Sequence, residues 1–193
     1  MRKRLKSIAR ALAALALLAC LSGCSVPFAD TLLSFRAEHL TAVMEEEGEM
    51  ARGQSEEIIR CLTEGDKEGL AALFCPRVRE GEDFSRQLDA AFDFFRCETY
   101  IKAQVQEFCG GGESVDGGER TAWYLSPEIT YIEILQQTGD DPEDLADRYY
   151  GVRYFWQVTD AGHPDLEGLH HLDLALLNTD QAVEIGTWAW TED

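Results

Sequence analysis

The sequence has no apolar run long enough to cross a bilayer, no CxxC pair, no catalytic signature of fixed spacing and little positive charge beyond its first ten residues. Each lack excludes something. The run from Ala11 to Leu21, ALAALALLACL, is eleven residues where a membrane span needs about 20. Without CxxC, thioredoxin-type redox chemistry and paired zinc knuckles lose their basis. Without GxSxG, a P-loop or a GxGxxG placed after a strand, the common hydrolase, nucleotide-hydrolysing and dinucleotide-binding sites are unsupported. No cofactor is expected. Lys and Arg total 17 against 36 Asp and Glu, a net charge of −19. A surface so acidic repels phosphate backbones and anionic headgroups, which excludes nucleic acid as a partner and any electrostatic grip on a membrane.

What is present begins with a leader. Met1 to Arg10 holds five basic residues and no acid, the pattern of the cytoplasm-facing start of an export signal. The apolar run follows at once and ends in Leu21-Ser22-Gly23-Cys24, which resembles the lipobox of bacterial lipoproteins. The resemblance implies that Cys24 receives a diacylglycerol on its thiol, that a peptidase cuts before it, and that palmitate-type acyl chains hold the mature chain at the outer side of the cell membrane. Each buried methylene contributes about 0.8 kcal/mol, so two or three chains anchor firmly. The plain alternative is a secretory signal cut nearby. Removing residues 1–23 takes away five of the 17 basic residues and no acid, leaving twelve against 36, a net −24.

The 170 residues that remain suit one domain. Residues 24–53 read as a partly helical tether, with Glu45-Glu46-Glu47 between Leu40, Val43, Met44 and the glycines Gly48 and Gly53. The domain is expected over 54–193. Ser55 before Glu56-Glu57 predicts a helix start, Gly65 its end, and Asp66 the cap of a second helix over 67–74, which Pro76 stops. A third helix is expected over 84–95 from the stripe Phe84, Leu88, Ala91, Phe92 and Phe95. Beyond Arg96 the period changes to two. Thr99, Ile101, Ala103 and Val105 then form one face of a strand. Gly110 to Gly112 and Gly117-Gly118 bound a predicted loop, and strands are expected over 121–125 and 129–135 on either side of Pro127. Asp140 to Asp147 reads as an acidic excursion with a short helix at Pro142. Tyr149 to Thr159 is the strongest strand, and 169–177 and 182–190 pair around Asn178-Thr179-Asp180. Helices first and an antiparallel sheet after them predict an α+β fold.

The stretches EEIIRCLTEGDKEGLAALF, YGVRYFWQVTD and EGLHHLDLALLN resemble a group of bacterial lipoproteins, of the DUF5104 type, with an NTF2-like (cystatin-like) domain. That likeness implies N-terminal helices packed in the concave face of a curved antiparallel sheet, a cone that in related proteins holds small ligands and whose convex face allows a homodimer.

Cys61, Cys75, Cys97 and Cys109 are open between structural disulfides, for which three pairings exist, and buried thiols. The cluster Asp160, His163, Asp165, His170, His171 and Asp173 has the residue types of a metal site but no ligand spacing, and Gly162 and Pro164 mark it as a loop; no metal is expected. The aromatics Tyr124, Tyr131, Tyr154, Trp156, Trp188 and Trp190 alternate along strands, where core packing is the commoner use. A pocket at the cone mouth would draw on Tyr124, Tyr154, Trp156, His171, Asp173 and Trp188. No catalytic residue is assigned. The expected function is that of a membrane-anchored, extracytoplasmic, non-enzymatic module that binds a small molecule or a protein. The alternative is a small-molecule enzyme or carrier that uses the cone cavity.

Overall fold

A computed structural model describes residues 26–106, 110–141 and 143–187, with side chains from Val43 onward. The chain divides into two compact units, residues 1–45 and 46–193. Of the first, the described part is the opening stretch of helix α1 (Val26–Glu64). No described helix is long and apolar enough to cross a membrane.

The second unit is α+β. Four α-helices, the C-terminal part of α1, α2 (Lys67–Leu73), α3 (Pro76–Arg79) and α4 (Phe84–Phe95), precede seven strands. The strands are β1 (Thr99–Val105), β2 (Gly110–Asp116), β3 (Glu119–Ser126), β4 (Glu128–Gln137), β5 (Leu145–Asp160), β6 (Gly168–Leu176) and β7 (Ala182–Gly186). Among the described residues all pairings between these strands are antiparallel, in a single sheet. The 16-residue β5 is its spine. One edge of β5 carries β4 along its first half and β3 along its second, while β6 and then β7 follow on the other edge. Pro127 sits where β3 gives way to β4. It lacks the N–H a ladder needs, and its carbonyl still accepts from Tyr154 N at 3.3 Å.

The helices pack on one sheet face. Ile58 and Leu62 of α1, Leu70 of α2, and Leu88, Ala91 and Phe95 of α4 share a core with Ile132, Tyr150, Val152, Leu172, Leu174 and Ile185. Burying side chains of this size contributes about 1.5–3 kcal/mol each. Two tyrosine hydroxyls tie helix to sheet. Tyr150 donates to the Phe94 carbonyl at 2.9 Å, and Tyr154 donates to Ala51 O at 3.0 Å while sharing a 2.8 Å bond with the Ser55 hydroxyl.

Those Tyr154 contacts explain the largest departure from the sequence reading. The helix does not begin at Ser55. It runs unbroken through Gly48, Gly53 and Ser55, because Ala51, Gln54 and Ser55 are buried and Ala51 packs on Trp123 and Leu125. Tertiary burial outweighs the roughly 1 kcal/mol that each glycine costs a helix. The Gly65-Asp66 junction forms as expected. Gly65 takes φ +70°, Asp66 accepts from Gly69 N at 2.8 Å, and the guanidinium of Arg60 binds Glu57, Glu64 and Asp66 together.

Pro76 does not merely stop α2; it occupies the first turn of α3. The predicted glycine loop is β2, joined to β3 by a turn in which Gly117 and Gly118 have φ +59° and +90°. In β1, a register shift between Tyr100 and Lys102 leaves Ile101 45% exposed, so only Ala103 and Val105 of the predicted face reach the core. Leu145 already begins β5, and Pro142 and Cys109 lie outside the described residues. Cys61, Cys75 and Cys97 are free thiols, the first two buried.

Candidate functional site

Of the six residues drawn toward one pocket, the five that are described divide between the two faces of the sheet. Tyr154 lies in the helix-side core and Trp156 packs against it. Along β5 successive side chains alternate, so Arg153 and Phe155 face the other way. Tyr124 stacks on Phe155 there, with ring centroids 5.2 Å apart. His171 pairs with Phe155 and Asp173 with Arg153 across the β5–β6 ladder, which puts both on this opposite face. Trp188, like Trp190, lies outside the described residues. Tyr131 belongs to a separate patch, beside Tyr149 and Lys102.

The opposite face is polar and yet covered. Gln157, His171 and Asp173 are buried, unlike the solvated residues that usually fill the outer side of an antiparallel sheet. Asp173 accepts from both Nε and Nη2 of Arg153 on one oxygen, a charge-assisted pair that raises the guanidinium pKa. His171 Nε2 stands 3.7 Å from Glu184 Oε2. Burial pushes the His171 imidazole below its ordinary value, against the upward pull of Glu184 and Asp173. His170 is likewise lowered by burial, although its Nε2 meets the Leu166 carbonyl. A neutral His171 and an Arg-paired Asp173 make a structural brace between β5, β6 and β7.

The loop cluster does a different job. Asp160 Oδ1 accepts from Gly162 N and His163 N, each at 3.0 Å, and Pro164–Leu166 forms a single 3-10 turn. These residues close the β5–β6 connection. Among the described residues, no three His, Cys, Asp or Glu side chains converge as metal ligands.

Two hollows remain. A cavity of about 220 Å³ is lined by Leu62, Phe92, Phe95, Arg96 and Cys97, where α1 and α4 end. A larger one, about 370 Å³, lies on the face away from the helices and is lined by Gly112, Glu113, Ser114, Tyr124, Gln157 and Asp160. Of these, Tyr124 and Asp160 were legible as candidates. Gln157 was not, since a glutamine on the polar side of a strand reads as solvated and only its tertiary neighbours bury it.

A family model described as Domain of unknown function (DUF5104) matches residues 57–179. The match begins in α1 and ends just beyond β6, so it takes in both hollows. No curated protein matches the chain.

Proposed function

The chain belongs to the DUF5104 family, and within that family we propose a lipid-anchored, extracytoplasmic binding module whose α+β unit has the NTF2-like form. The observation that carries the location is Leu21-Ser22-Gly23-Cys24, placed after a basic start and an eleven-residue apolar run. Acylated Cys24 is the contact with the bilayer. The acidity of the mature part agrees, since a net −24 gives no other means of holding an anionic membrane. Helices packed on one face of an antiparallel sheet are compatible with an NTF2-like cone.

Binding is favoured over catalysis by the use made of the polar side chains. Asp173 is bound to Arg153, Asp160 to loop amides and Asp66 to Arg60. A general base needs reach to a substrate proton, and each of these groups has an oxygen engaged in holding a strand or a turn.

Growth of cells with an alkynyl palmitate tests the anchor. The full chain should take up label and sediment with membranes, and Cys24→Ala should do neither. Label retained by Cys24→Ala, or a chain protected inside the cytoplasm, would remove the reading. The carrier or enzyme alternative rests on the 220 Å³ hollow at the helix ends. Native mass spectrometry separates the two, because a co-purified apolar ligand lost on denaturation favours the carrier, whereas a bare mass or a bound polyamine favours the binding module.

A further inference from the structure

We infer that the 370 Å³ hollow on the β2–β3–β5 face is a binding site for a small organic cation, an alkylammonium of the polyamine kind. This deepens the binding-module reading and rests on it only for the idea that the domain binds something.

The hollow is built by small residues in register. Gly112 pairs with Tyr124, and Ser114 with Ala122; Tyr124 and Ala122 pair in turn with Gln157 and Asp160. Ser114 and Ala122 leave the space open. Gly112 lets the Tyr124 ring lie across β2, since a Cβ there would come within 2.7–2.8 Å of the ring's Oη, Cε1 and Cζ atoms. Tyr124, 38% exposed and backed by Phe155, is an aromatic wall open to solvent.

The chemistry of the lining is one-sided. Gln157 is 1% exposed, and its Nε2 donates to the Thr159 carbonyl, which fixes the amide orientation. Its Oε1 is buried and has no hydrogen-bond partner. A buried acceptor in that state is costly and calls for a donor. Asp160 holds two loop amides on Oδ1, so its second oxygen remains to offer, whereas the Glu113 carboxylate meets Arg120 beside Trp123 on the helix side of the sheet. Acceptors and an aromatic face suit a group that has only donors. An ammonium has three donors and no acceptor, and it is attracted to a tyrosine ring. The cavity is at the small end of ligand pockets, which suits a slender chain.

The test is calorimetric titration of the full acylated chain in detergent with spermidine, and with 1,6-hexanediol as its uncharged counterpart. The result expected is saturable spermidine binding that weakens as salt rises, with no hexanediol binding. Tyr124→Leu and Asp160→Asn should each weaken it about fivefold, the equivalent of ~1 kcal/mol; the asparagine keeps an oxygen for the loop amides. Circular dichroism and the thermal transition of each variant report folding. Three outcomes overturn the inference: no saturable binding, equal binding of the diol, or spermidine binding that both folded variants keep, which would mark a diffuse acidic surface. Binding of a lysine-rich peptide but not of spermidine also overturns it, in favour of a protein partner. None of these results touches the palmitate label, so the site and the anchor fail separately.

Discussion

Tyr154→Phe removes one oxygen from the centre of the helix–sheet contact, and its consequences can be worked from three atoms. The hydroxyl donates to Ala51 O at 3.0 Å and meets Ser55 Oγ at 2.8 Å, and both Tyr154 and Ser55 are fully buried. In the variant the Ser55 hydroxyl loses its partner on the sheet. It can turn back to the Ala51 carbonyl one helical turn earlier, so the loss is that of a single buried bond with partial relief, about 1–2 kcal/mol. For a domain near this size each kcal/mol moves the midpoint by about 2–4 °C. Urea unfolding followed at 222 nm, with the m-value unchanged, measures it. Ser55→Ala should cost less, because Tyr154 keeps Ala51 O. The double variant should be less destabilised than the two singles summed, by about 0.5–1.5 kcal/mol. Additive effects, or a Tyr154→Phe cost below about 0.3 kcal/mol, would refute the contact and with it the continuous α1 through Ser55.

Gly186→Ala should destabilise by about 2 kcal/mol or more in the same assay, since the new Cβ would fall 1.9 Å from His170 O at a φ of +76°; an unchanged midpoint would contradict the β6–β7 packing. Thiol reagents should modify Cys97 before Cys61 and Cys75 in the folded chain, because Cys61 and Cys75 are buried and burial pushes the Cys61 pKa up to about 11; early reaction of Cys61 would show that α1 opens. Ring resonances of His170 and His171 should titrate below the ordinary 6.5. The unfolded chain then takes up protons first as pH falls, so the stability these two contribute is complete above about pH 6.5 and declines through their lowered native values. A titration of His171 at or above 6.5 would show that the buried face is wet.

Local signals that agree with burial were legible. The stripe of Phe84, Leu88, Ala91 and Phe95 gives α4 to the residue, and Asp66 caps α2 as its sequence says. Misreadings arise where a local signal is overruled. Ser55, followed by two acids, has every mark of a cap, yet its hydroxyl is used 99 residues away by Tyr154. Gly110 to Gly112 look like loop, but β2 needs Gly112 to be small so that Tyr124 can cross it. The candidate site suffered from a deeper ambiguity. Alternation groups residues within a strand but does not say which face meets the helices, so it places Tyr124 and Tyr154 together although the sheet separates them. Register shifts at Phe155/Trp156 and Trp123/Tyr124 add to this, since a bulge moves every later side chain and leaves no mark in composition.

The most direct test of the account is mass spectrometry of the amino-terminal peptide of the mature chain, isolated from membranes. The account predicts a peptide that begins at Cys24 and carries the added mass of a diacylglycerol on the thiol, with residues 1–23 absent. An unmodified Cys24 inside a longer peptide, or a mature chain that starts elsewhere, would contradict the anchor and the location built on it.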